Sequence, residues 1–89
     1  MDGGMDEDTA RALVERAVEE CGGARRIVAS PRHPFGRNPY DELEIEGATV
    51  RIRYGEMSSP AIAEVAGWIF EIREHELVTL DHPRPGRGA

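Results

Sequence analysis

The sequence predicts an α+β fold, a small two-layer sandwich of order α-β-β-β-α-β. A mostly antiparallel four-stranded sheet carries two helices on one face. Three observations predict it. Apolar residues recur at a helical period between residues 7 and 21. Apolar and charged residues alternate on both sides of a glycine between 41 and 53. Polar positions recur every three or four residues between 60 and 74. These patterns place a single domain at 7–81, with a disordered N-terminus at 1–6 and a disordered tail at 82–89.

The first helix is written in DEDTARALVERAVEECGG. Ala10, Leu13, Val14, Ala17, Val18 and Cys21 fall at i, i+3, i+4, i+7, i+8 and i+11, one face of a 3.6-residue period. Asp6 or Asp8 caps the orphan amides of the first turn, where acids also suit the helix dipole. Gly22 and Gly23 supply the left-handed conformation that ends a helix. The next segment, RRIVAS at 25–30, reads as a short strand. Its Ile27 and Val28 are β-branched, and Pro31 stops it.

A proline-rich loop at 31–39 leads into YDELEIEGATVRIRYG, a hairpin. A two-residue turn at Gly47-Ala48 sets Ile45 opposite Val50 and Leu43 opposite Ile52. On the other face Glu46 meets Thr49, Glu44 meets Arg51 and Glu42 meets Arg53. Glycine at the first turn position suits a type II′ turn. One face is apolar and one charged, as in a sheet covered on one side.

The segment SSPAIAEVAGWIFEIREHE is contested. Trp68, Ile69, Phe70 and Ile72 favour a strand at 67–73 paired with the next segment. Glu64, Gly67, Glu71 and Glu74 instead recur at a helical period, and Ser59-Pro60 forms a familiar helix start. The second helix is accordingly placed at 60–74. LVTL at 77–80 is the last strand.

Composition bounds the function. The net charge is -6 and the pI about 5.0, which opposes general nucleic-acid binding. All 11 basic residues are Arg, a compositional sign of a GC-rich, bacterial source. Cys21 is the single cysteine, so no internal disulfide forms, in keeping with a reducing cytoplasm. The N-terminus lacks a signal-peptide pattern. The longest apolar run, AIAEVAGWIF, is too short to span a bilayer.

The chemistry-bearing residues form no familiar motif. His33, His75, His82, Cys21, Asp41 and Asp81 lack metal-ligand spacing, so neither a metal nor another cofactor is expected. Ser30, Ser58 and Ser59 lack a nucleophile elbow. Cys21 falls at a helix C-terminus, whose partial negative charge opposes thiolate formation. Glu42, Glu44 and Glu46 form a solvated strand face. The segment 25–40 carries Arg25, Arg26, Arg32, His33 and Arg37 without an acid until Asp41. Arg forks there match phosphate or carboxylate, with stiff connection as the plainer role.

A second helix at 60–74 would present an apolar arc of roughly 220°, about twice what one sheet covers. One sector packs on the sheet, and Val65, Trp68 and Ile72 then face outward as an interface candidate. The sequence thus points to a small non-catalytic interaction or regulatory protein of the cytoplasm. It is expected to act through a protein–protein surface, as a homodimer or with a protein partner. The alternative is a binder of a nucleotide or nucleic-acid segment through 25–40.

Overall fold

The computed structural model of the chain describes residues 5–29, 40–55 and 59–83. Among them two helices, α1 (Glu7–Glu20) and α2 (Ala24–Ala29), precede five strands. These are β1 (Tyr40–Ile45), β2 (Ala48–Arg53), β3 (Ala61–Val65), β4 (Trp68–Ile72) and β5 (Leu77–Asp81). The strands form one antiparallel meander in chain order. The α+β class is as expected, while the element order and the strand count differ. No helix among the described residues is long and apolar enough to cross a membrane.

Helix α1 follows its local signals. Asp6 is the cap, its carboxylate accepting the Thr9 N–H at 2.8 Å. The helix ends in a Schellman arrangement: Gly23 N–H reaches the Val18 carbonyl at 2.8 Å and Gly22 N–H the Glu19 carbonyl at 3.0 Å. Both glycines have positive φ. Ala10, Leu13, Val14, Ala17 and Val18 are the buried face.

Two segments differ from expectation. The strand expected at 25–30 is not found among its described residues, where α2 occupies Ala24–Ala29. Ala24, Ile27 and Val28 stand at i, i+3 and i+4, and Ile27 is fully buried under the helix-covered face. That short helical spacing outweighs the β-branching of two residues. Residues 60–74 are not a helix but β3 and β4, joined by a turn at Ala66-Gly67. Ala61, Ala63 and Val65 alternate with Ile62 and Glu64, and Phe70 and Ile72 alternate with Ile69 and Glu71. The two-residue turn breaks the alternation, which is how Glu64, Gly67, Glu71 and Glu74 mimic a helical period. The competing strand at 67–73 corresponds to β4, and its partner is the next segment, β5.

The first hairpin turns one residue earlier than expected, at Glu46-Gly47. Leu43 therefore faces Val50, Ile45 faces Ala48, and Glu42 faces Arg51. Glu46 and Gly47 have φ of 51° and 84°, and Ala66 and Gly67 have 50° and 88°. Positive φ at both central positions belongs to a type I′ turn rather than to the type II′ turn expected from glycine at the first position; both have the twist that suits a hairpin. Moving the turn by one residue moves each partner by two. The inward row of Leu43, Ile45, Val50 and Ile52 is therefore unchanged.

The buried hydrophobic residues among those described form one cluster between the helices and one face of the sheet. The acids at the start of α1 tie its stability to pH. Hydrogen bonds from Thr9 lower the Asp6 pKa. Glu7 is lowered first by the Thr79 hydroxyl and further by Arg11, against partial desolvation. A carboxyl with a depressed folded pKa stabilises above its unfolded value and loses that contribution as pH falls through the folded one. Stability should therefore decline below about pH 4.5, the ordinary Glu value. Glu7→Gln should flatten that decline in thermal melts from pH 7 to 3. A melt series as steep as that of the parent would show that Glu7 is not a source of it.

Candidate functional site

Five strands about 4.8 Å apart make a sheet roughly 24 Å wide, and a helix about 10 Å across covers less than half of that. α1 lies over β1, β2 and β3. α2 touches β4, and over the rest of β4 and β5 the cover consists of individual side chains. Trp68 donates its indole N–H to the Met5 carbonyl at 2.7 Å. Arg11 stretches its guanidinium across the Phe70 ring, 5.3 Å from the centroid. It donates to the Leu77 carbonyl at 2.7 Å and to the Thr79 hydroxyl at 3.0 Å, and pairs with Glu7 at 3.1 Å.

Beyond Arg11 this cover stops. An open groove of about 650 Å³ remains between the C-terminal half of α1 and the connection from β4 to β5. Ala12, Val18, Ala24 and Leu77 supply its apolar lining. Glu15 and Glu19 stand on one side, and Arg73, Glu74, His75 and Glu76 on the other. Its two Arg residues are already engaged. Arg16 pairs with Glu46, and Arg73 pairs with Glu71 at 3.3 Å and Glu76 at 3.5 Å. Glu15 and Glu19 have no ion-pair partner among the described residues.

A second, smaller cavity of about 430 Å³ lies at the end of α1, where Cys21, Arg26, Asp41 and Tyr54 meet. Tyr54 is buried and donates its hydroxyl to Asp41 at 3.0 Å. Burial first, then the adjacent Cys21 thiol and Asp41 carboxylate, raise the Tyr54 pKa. The phenol is thereby held protonated, as a hydrogen-bond donor. Cys21 is half-buried and packs against the core.

The chain was compared with protein-family models, curated proteins and solved structures. None of them matches it.

Of the anion-binding candidates, Arg25 and Arg26 are exposed on α2. Arg32, His33 and Arg37 lie outside the described residues. The interface candidates Val65, Trp68 and Ile72 are not an outward sector. Val65 and Ile72 are 2% and 1% exposed in the core, and Trp68 is half-buried against it. The reason is the change from helix to hairpin: a period of two puts all three in the inward row. The outward row instead carries Ile62, Ile69 and Val78, with Leu80 beside them at 50% exposure. No group of three or more His, Cys, Asp or Glu positioned to hold a metal occurs among the described residues. The groove was not recognised from sequence. Its only local signals are the Glu15/Glu19 pair and the charged run REHE, both of which read equally as solvated surface.

Proposed function

We propose that this chain is a non-catalytic interaction protein that receives another polypeptide in the groove between α1 and the β4–β5 connection. The observation that supports this is apolar surface left accessible in a charged cleft, at Ala12, Ala24 and Leu77. Apolar clefts with a few polar groups are where partners and ligands bind, and charged rims set orientation and partner choice. A photo-crosslinking residue at Ala12, which is exposed, tests it in cells against the same residue at Thr49. Protein adducts from position 12 and not from 49 are expected. Equal labelling, or none at position 12, would overturn the proposal.

Self-association is a second reading, favoured by Leu80 and the neighbouring apolar row on the helix-free face. That row spans three strands and about five residues, roughly 240 Å² in projection, against about 800 Å² per partner in a stable interface. It supports a weak homodimer at most. Light scattering should show a concentration-dependent mass that Leu80→Arg abolishes. An invariant monomer mass would rule the homodimer out.

A further inference from the structure

We infer that the occupant of the groove is a basic amphipathic peptide segment, and this rests on the docking function proposed above. Two properties of the groove select that chemistry. The apolar lining calls for apolar side chains, because the accessible parts of Ala12, Ala24 and Leu77 gain only from contacts that exclude water. The walls call for positive charge. Four Glu residues border the groove. Glu76 is paired with Arg73 and Glu74 lies 3.8 Å from His75, while Glu15 and Glu19 have no ion-pair partner among the described residues. Arg16 and Arg73 are neutralised by Glu46, Glu71 and Glu76.

Docking any segment would draw Glu15 and Glu19 out of water. That cost is offset only where a cation replaces the lost hydration. An acidic or neutral segment would leave both carboxylates less solvated and unmatched. A second copy of this chain is a poor occupant for the same reason, since its net charge is -6. Lys or Arg flanking two or three apolar residues satisfies both demands.

The test uses the full chain, ¹⁵N-labelled, and two synthetic helical peptides with the same Leu positions. One carries Lys at its polar positions, the other Glu. Each is titrated at ~20 mM and ~300 mM salt, where the screening length changes severalfold. The Lys peptide should shift the amides of Ala12, Glu15, Glu19 and 74–77, and its affinity should fall at least tenfold, ~1.4 kcal/mol, at the higher salt. Glu15→Lys with Glu19→Lys should weaken the Lys peptide by a similar factor and admit the Glu peptide. Glu64→Lys, on the helix-free face, should change neither.

If the Lys double variant does not fold by circular dichroism, Glu15→Gln with Glu19→Gln provides the same comparison without charge reversal. Equal binding of the Glu peptide, or no effect of salt, overturns the inference about charge. So do shifts confined to other surfaces, or no shifts with either peptide. In each case crosslinking from Ala12 still judges the docking function separately.

Discussion

Phe70→Ala is expected to lower stability by about 3–5 kcal/mol, the range for emptying a large aromatic from a core. Phe70 is fully buried near the middle of the sheet, opposite Ala63 on one side and Thr79 on the other. Neither neighbour is large enough to fill the space. The Arg11 guanidinium lies on its ring, and the Trp68 ring is stacked at 6.4 Å. Losing the ring therefore empties a site and also removes the surface that Arg11 spans. Domains of this size gain only about 3–5 kcal/mol from a single core, so the variant should be largely unfolded without added stabiliser. Phe70→Leu fills most of the volume and should cost distinctly less. Urea unfolding followed by Trp68 fluorescence measures both. A loss below about 1 kcal/mol for Phe70→Ala would mean that this position is not the centre of the core.

The second large effect concerns the turn glycines, which share a conformation but not a neighbourhood. Gly47 and Gly67 have φ of 84° and 88°, which β-branched residues adopt only under strain. A side chain at Gly47 meets nothing within 4 Å. A Cβ at Gly67 would come within 2.9 Å of the Pro83 Cβ and 3.2 Å of its Cα. Gly47→Val should therefore cost about 1–3 kcal/mol from backbone strain alone. Gly67→Val should cost more, because Pro83 and the chain after β5 must also move. Thermal melts of the two variants compare them directly. Equal losses would remove Pro83 from the account, and two unchanged melts would exclude positive φ at both turns.

What the amino-acid sequence determined by itself is the structure whose causes lie within a few residues. The α1 face, the Asp6 cap and the Gly22-Gly23 stop are all local, and each follows from residues at most four or five apart. The inward and outward rows of the first hairpin are local too, because alternation alone assigns them. The turn position was not, since Gly47 serves as the first residue of one turn type and the second of another. Only the strand pairing, Ile45 against Ala48, decides between them.

Tertiary structure decided the rest. The segment 61–72 is apolar enough to form either a helix or two strands. It becomes a hairpin because β2 on one side and β5 on the other bond its backbone, partners that lie outside the segment itself. α2 is short, and Ile27 is buried only where the helix-covered face of the sheet provides contacts. The groove belongs to this class as well. Ala12 and Leu77 are 65 positions apart in the chain. Whether they share an open cleft depends on how far the two helices extend across five strands, a property of the assembled layers that no local run of residues encodes.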